Sequence, residues 1–442
     1  MKNPFKNLLK KFQKNLEIIS RVLGWNAKNP GSREISTPEI RDMASKAKAS
    51  MTTNTVCPYC NSDNFVKRGV RQKKHEVVQL YLCRAEGCGR TFTAERVKGK
   101  RFPLNVILEG ISYYNLGLSL EQTCKILEQK FSENENILAP TPATLSGWIE
   151  EYKSICRFER MRPWAIKMFP PQKMIEVVSM AHRQLYRFRY HRAKTMLIME
   201  EFKNRRFGRL KEYLDAVSSE TPHQYFQDGE RISEIKTKFD KADMIVRSKS
   251  NFANKTAEFV LRSVSDNKGR HEALQRFMIA NDSVTVATEV PVYIREEDIM
   301  HMENVLKFKI LGEGGLVFKR RNKTEGKRVA DEASKSARGR LLTGHIDFVQ
   351  IRNGMVHILD YKPNASKEKP IEQLTWYALA LSRLTGLRLY EFKCAWFDDK
   401  DFYEFYPLHI VKKIQTKKRT RRVRYRDGTE AIVPHEDVLT VV

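Results

Sequence analysis

A multidomain α+β protein is predicted, and three observations carry that expectation. Four of the seven cysteines fall between Cys57 and Cys88 as two close pairs, the way a small metal-braced β ribbon presents its ligands. Residues 101–155 hold three short runs with apolar positions at helical spacing. From about 256 to 410 the pattern becomes helix, several short strands, helix and strand, which marks an α/β domain. The chain divides accordingly into a basic helical arm and linker (1–50), the β ribbon (51–100), a helical module (101–155), a basic helical middle segment (156–255), the α/β domain (256–410) and a basic tail (411–442). No internal repeat is visible.

A chain of 442 residues can hold two to four cores of its own. Its hydrophobic content of 41% and aromatic content of 10% are those of a folded protein. The net charge of +27 exceeds what solubility requires. A polyanionic partner accounts for it, because each neutralised phosphate releases condensed counterions. No apolar run approaches the ~20 residues of a spanning helix, so no membrane partner is expected and the cytoplasm is the expected location. The first residues, MKNPFKNLLKKFQKNLEIISRVL, mix basic and apolar positions at helical spacing and lack the apolar block and cleavage site of a secretory signal. They read as an amphipathic docking helix, with attachment to a membrane surface as the lesser alternative. Asn26–Ser50 reads as a linker.

In a reducing compartment, Cys57-Pro-Tyr-Cys60 and Cys83-Arg-Ala-Glu-Gly-Cys88 favour metal over disulfide. Tetrahedral zinc takes four thiolates, two from each tight turn, and leaves no open position, so the predicted zinc is structural. Asn64–Gly69 and Val77–Leu82 read as the intervening strands, joined by the basic turn Arg71–Lys74. Free thiols on a hairpin are the bland alternative. The string CPYC, FVKRGV, QLYLCRAEGCGRTFT resembles the zinc ribbon at the head of many insertion-sequence transposases, over roughly 40 residues.

Leu104–Leu116 is a predicted helix ended by Gly117. Ser119-Leu-Glu-Gln122 is a capping box that starts a second, running to about Phe131. Thr141-Pro142 starts a third, with Leu145, Trp148, Ile149 and Tyr152 on one stripe. This arrangement resembles the helix-turn-helix that follows the ribbon in those transposases. The resemblance implies that Thr144, Ser146, Gly147, Glu150 and Glu151 face the major groove. An ordinary three-helix packing module is the alternative, and two glutamates on the reading face favour it. Trp148 is expected in the core.

The middle segment alternates basic and aromatic residues over His182–Lys194. Such interleaving can line a nucleic-acid groove. Leu185, Phe188, Tyr190, Leu197 and Phe202 are more economically the core of a helical segment. Its carboxylates (Glu176, Glu200, Glu201, Glu212, Asp215, Asp228) do not end clear apolar strands, which argues against a strand-transfer centre here.

The densest chemistry lies in Gly344-His-Ile-Asp347, Asp360-Tyr361-Lys362 and Gln373-Leu-Thr-Trp-Tyr377. Phosphodiester hydrolysis uses a divalent ion, and hard magnesium prefers carboxylate oxygens and water. Asp347 and Asp360 lie 13 residues apart on predicted strands around the Asn353-Gly354 hairpin, so both carboxylates can meet at one sheet edge. Lys362 shares a face with Asp360 and can stabilise developing negative charge. Gln373 and Tyr377, four apart on the next helix, can bound the site. The other predicted strands are Val284–Val290, Val305–Ile310, Leu342–Ile351, Met355–Tyr361 and Phe392–Phe397.

In order and spacing these motifs resemble the RecB-like branch of the PD-(D/E)XK superfamily, over about 266–410. The resemblance implies a restriction-endonuclease-like α/β domain binding Mg²⁺ or Mn²⁺ through His271, Asp347 and Asp360, with the Tyr361 carbonyl as an additional ligand. Lys362 would be the catalytic lysine, with Glu289, Gln373 and Tyr377 in support. Two simpler readings stay open: His271 as an exposed helical histidine, and Glu289 as a lysine's ion-pair partner. The insertion Gly312–Arg340 departs from the pattern and is either a DNA-contacting loop or a solvated excursion. Only Cys394 lies in this region, so the iron–sulfur cluster of some relatives is not expected.

The leading expectation is a metal-dependent deoxyribonuclease placed on duplex DNA by its ribbon and helix-turn-helix, with single-stranded DNA as a further candidate partner. Lys319–Arg321 and Lys417–Arg426 would hold phosphates. A mobile element, plasmid or virus is its natural home by analogy. A homo-oligomer is compatible with the sequence. The alternatives are a non-catalytic DNA-binding protein with an inactive nuclease fold, and a transposase-related strand-transfer protein.

Overall fold

The computed structural model describes residues 57, 59–60, 62–72, 77–93, 102–131, 139–181, 185–201, 204–234, 239, 247–248, 251–264, 267–310, 341–412, 420–424 and 430–434. The N-terminal arm and linker, the tip of the turn Arg71–Lys74, Gly312–Arg340 with Lys319–Arg321, and part of Lys417–Arg426 lie outside them. So do His182 and the side chains of Leu185 and Phe202. The fold is mixed α+β. No described helix is long and apolar enough to cross a membrane.

The cysteine-rich ribbon is a three-stranded antiparallel sheet of β1 (Phe65–Gln72), β2 (Val77–Cys83) and β3 (Thr91–Thr93). Among the described residues its buried core is Cys57, Tyr81, Cys83 and Phe92, with Phe65 edge-on to both rings. So small a core stabilises little without a cross-link.

Three helices follow: α1 (Leu104–Asn115), α2 (Leu120–Phe131) and α3 (Pro142–Tyr152). The caps are those read from the sequence. Gln122 N donates to Ser119 Oγ at 3.1 Å and Ser119 N to Gln122 Oε1 at 2.9 Å. Thr144 N donates to Thr141 Oγ1 at 3.2 Å, with Pro142 in the first turn. Ile107, Ile111, Leu127, Leu145 and Trp148 fill the space between the helices. Thr144 is half-buried, while Ser146, Gly147, Glu150 and Glu151 are exposed.

The middle segment is where the expectation of a helical region fails. It contains β4 (Ile175–Ala181) and β5 (Leu185–His191), an antiparallel pair that extends the main sheet, before α4 (Arg192–Glu201) and α5 (Gly208–Glu220). The physical reason is the period. Tyr186, Phe188 and Tyr190 alternate with Arg187 and Arg189, which is the two-residue repeat of a strand. Phe188, Tyr190 and Leu197 are buried, as expected of core residues.

The main sheet runs β4-β5-β8-β9-β10-β11-β12-β7, with the short β6 (Glu230–Arg231) paired to β9. Its members are β7 (Arg247–Ser248), β8 (Thr285–Arg295), β9 (Leu341–Arg352), β10 (Met355–Tyr361), β11 (Phe392–Phe397) and β12 (Phe402–Phe405). β10 and β11 are parallel, as are β6 and β9; the other pairs are antiparallel. Helices α6 (Phe252–Val260), α7 (Asn267–Asn281) and α8 (Ile371–Thr385) complete the main elements. Val305–Ile310 is not a strand. It follows the helix Glu296–Asn304 with Val305 and Leu306 exposed, and its one ladder-like bond is Lys309 N to Val411 O at 2.6 Å. Two strands in the tail, β13 (Thr420–Arg424) and β14 (Glu430–Pro434), form an antiparallel pair.

One apolar core joins the helical module to the sheet. At the junction Asn115 Nδ2 on α1 donates to Asn281 Oδ1 on α7 at 2.7 Å. Asn281 Nδ2 donates in turn to Ser112 Oγ at 2.8 Å. Both asparagines are buried, so the contact aligns the two helices at a cost if either amide is lost.

Candidate functional site

Two clusters bear chemistry. In the ribbon, the sulfurs of Cys57, Cys60, Cys83 and Cys88 all lie within 4.8 Å of one another. Cys57 Sγ is 3.7 Å from Cys88 Sγ, and Cys60 Sγ is 3.5 Å from Cys83 Sγ. Zn–S bonds of about 2.3 Å in a tetrahedron separate sulfurs by about 3.8 Å, so the four thiols fit a structural zinc with little movement. Gly87 and Gly89, at φ +78° and +54°, turn the second knuckle. Burial alone would raise the Cys57 thiol, yet the backbone amides of Tyr59 and Cys60 bring it down to about 7. Burial pushes Cys83 up to about 12.

The second cluster is built by strand register. β8 pairs with β9 through Thr288–Phe348 and Val290–Ile346, which places Glu289 across from Asp347. β9 pairs with β10 through Phe348–Leu359, which places Asp360 across from Asp347 on the other side. Residues opposite one another on neighbouring strands share a face, so Glu289, Asp347 and Asp360 form one row. Glu289 sits at φ +51°, a strained conformation for a non-glycine residue inside a strand, and Gln275 Nε2 from α7 holds its carboxylate at 2.7 Å.

His271, also on α7, points its Nδ1 at Asp347 Oδ2 at 3.3 Å, and the Tyr361 backbone N–H donates to the same oxygen at 3.3 Å. Lys362 Nζ lies 3.0 Å from Asp360 Oδ2. From α8, Tyr377 closes the row and accepts from Gln373 Nε2 at 2.9 Å. A Cβ on Gly344 would come within 2.5 Å of the Tyr377 ring, which explains a glycine three residues before Asp347.

The electrostatics follow from crowding. Burial and the neighbouring Asp347 push Asp360 up to about 8. Burial and Asp347 raise Glu289 to about 7. Burial would raise Asp347 too, but its bond to His271 outweighs that and holds it below the usual carboxylate range. Burial works against the charged forms of His271 and Lys362, yet Asp347 raises the first and Asp360 the second. Three neighbouring carboxylates that resist shared ionisation are a donor set of the kind a hard divalent cation takes. His271, Asp347 and Asp360 are neighbours in space, but among the described residues only the four cysteines draw three or more ligand atoms within 4.8 Å of one another.

Glu289, Asp347, Asp360 and Tyr377 thus lie along one row, with His271 against Asp347, Lys362 against Asp360 and Gln373 bonded to Tyr377. Sequence reasoning missed Gln275, although its i+4 spacing from His271 on α7 could have shown it. It also missed Arg189, 2% exposed, whose guanidinium bonds Glu272 Oε1 at 3.1 Å beside His271. In the middle segment Glu176 pairs with Arg192 at 2.5 Å and Asp215 with Lys211 at 2.6 Å. No known family profile matches the chain, and no curated protein or solved structure shows significant similarity to it.

Proposed function

We propose that the chain is a divalent-metal-dependent nuclease that hydrolyses DNA phosphodiester bonds, with a RecB-like PD-(D/E)XK site and a zinc ribbon and helix-turn-helix that bring it to DNA. The observation that carries this is the carboxylate row: Glu289, Asp347 and Asp360 on three adjacent strands, with Lys362 beside Asp360.

Asp347 and Asp360, with His271 and the Tyr361 carbonyl, would hold Mg²⁺ or Mn²⁺, which supplies Lewis-acid polarisation of the phosphoryl group. Lys362, held charged by Asp360, would stabilise the negative charge that develops on the phosphate. Burial keeps the Tyr377 phenol protonated, so it serves as a donor at the rim. Gln275 orients Glu289, which can exchange a proton near neutrality. Exposed Ser146, Glu150 and Glu151 mark the face of α3 offered to the major groove. The +27 charge supports a polyanionic substrate.

The test is incubation of the purified chain with linear, circular and single-stranded DNA in Mg²⁺, Mn²⁺ or EDTA. Metal-dependent cleavage lost in Asp360→Ala and Lys362→Ala is the expected result. Salt-sensitive binding without cleavage in any metal would discard the activity. That outcome would leave a second reading, a DNA-binding protein with a silent site, which is favoured by the incomplete convergence of His271, Asp347 and Asp360.

A further inference from the structure

A cavity of about 440 Å³ opens where the turn after α3 meets the start of α6 and the hairpin end of β9. None of its lining residues belongs to the carboxylate row, and Gln350 lies three residues beyond Asp347, about 10 Å along β9. Arg157 is exposed, with its guanidinium over the Phe252 ring at 4.1 Å. Arg352 is half-buried and donates through Nη1 to Asn251 Oδ1 at 3.4 Å. The carboxylate in the wall, Asp282, is already occupied. It accepts from Val284 N at 2.9 Å, from Thr285 N at 2.6 Å and from the Thr285 hydroxyl, and Lys194 Nζ lies 3.4 Å away. The two guanidiniums therefore set the sign of the wall's charge.

Two amides in the same wall have settled orientations. Thr285 Oγ1 gives its proton to Asp282 Oδ2, so it accepts from Gln350 Nε2 at 2.9 Å. That leaves Gln350 Oε1 buried without a donor, on a side chain whose residue is 2% exposed. Asn251 Oδ1 accepts from Ala253 N and from Arg352, both at 3.4 Å, which leaves Asn251 Nδ2 a buried donor without an acceptor. Buried polar atoms left unpaired cost stability, and a ligand edge carrying the complementary donor and acceptor recovers it.

We propose that this cavity binds a free mononucleotide. Its phosphate would lie on Arg157 and Arg352, its base would set a donor against Gln350 Oε1 and an acceptor against Asn251 Nδ2, and the ring would pack on Phe252 and Met278. The volume falls within the roughly 300–1,000 Å³ of small-molecule pockets, whose usual build is an apolar lining with a few convergent polar groups. Guanidiniums match phosphate oxygens in geometry as well as charge. The site requires neither the carboxylate row nor DNA, so it stands or falls apart from the nuclease reading.

The experiment is isothermal titration of the full zinc-loaded chain, in magnesium-free buffer, with AMP, GMP, CMP, UMP and inorganic phosphate. At least one mononucleotide should bind at one per chain and more tightly than phosphate. Arg157→Ala should weaken it by about tenfold, the size of one lost charge-assisted hydrogen bond, and Arg157→Lys should recover part of that loss. Arg157 is exposed, so these variants should fold. Gln350→Met, which keeps the length and removes the acceptor, should weaken the nucleotide and leave phosphate unchanged. Asp360→Ala should leave nucleotide affinity within twofold. Saturation by none of the four, phosphate binding as tightly as the nucleotides, or an affinity unmoved by Arg157→Ala overturns the proposal. So does an equal loss in Asp360→Ala, which would move the nucleotide to the carboxylate row, or displacement of the nucleotide by duplex DNA, which would make the cavity a backbone contact.

Discussion

Asp360→Asn should make the metal-free protein more stable while removing its response to magnesium. The buried Asp360 carboxyl titrates at about 8, against an ordinary value near 4 in the unfolded chain, because burial and Asp347 disfavour its charged form. The folded state therefore binds a proton that the unfolded state has released. The stability this contributes is complete below pH ~4 and falls as pH rises toward 8. Asparagine keeps the shape and cannot ionise, so the variant escapes that decline. Between pH 5 and 7 the gap between variant and parent should widen by at most about 3 kcal/mol, from roughly 1.4 kcal/mol per pH unit. The charge shared with Asp347 reduces this, and Lys362 loses its partner in the variant, so a net widening of about 2 kcal/mol is expected. Thermal melts at both pH values, in magnesium-free buffer with zinc retained, read this as roughly 4–8 °C. Adding magnesium should raise the parent's melting temperature and not the variant's. A variant equally or less stable than the parent at pH 7, with no pH trend in the difference, would refute the reasoning.

Three further outcomes follow from the geometry. Cys57→Ser should reduce bound zinc from one per chain to none and lose the ribbon's amide protection in hydrogen exchange, because two aromatic rings and two thiols are too small a core to hold it; unchanged zinc content would remove the site. Gly344→Ala should destabilise by about 2 kcal/mol, since its Cβ would meet the Tyr377 ring at 2.5 Å, and Tyr377→Ala in the same chain should recover most of that loss by denaturant titration. Asn281→Leu should cost about 2–3 kcal/mol by leaving the buried Asn115 amide without its acceptor; an unchanged midpoint would show that the amide finds another.

Much of the candidate site was legible because its motifs are local. The Asp360–Lys362 spacing, the Asn353-Gly354 turn and the Gln373–Tyr377 helical step each lie within a few residues, where strand or helix period sets which side chains share a face. The caps at Ser119 and Thr141 and the two cysteine knuckles were legible for the same reason. Tyr186–Tyr190 misled because its five-residue alternation has a strand's period, while Leu185 and Phe188, three apart, also fit a helical stripe. Pairing with β4 on one side and β8 on the other decides between them.

Composition and short-range order therefore settle the charge, the metal-binding thiols, the helix starts and the identity of the acidic and basic groups. Register across β8, β9 and β10 belongs to the tertiary structure, and it is what sets Glu289 against Asp347 although 57 residues separate them along the chain. The same holds for Arg157, Asn251 and Gln350 meeting in one cavity. The reason is that a side chain's neighbours along the chain follow from backbone period, whereas its neighbours across a sheet depend on which strands the whole core brings together.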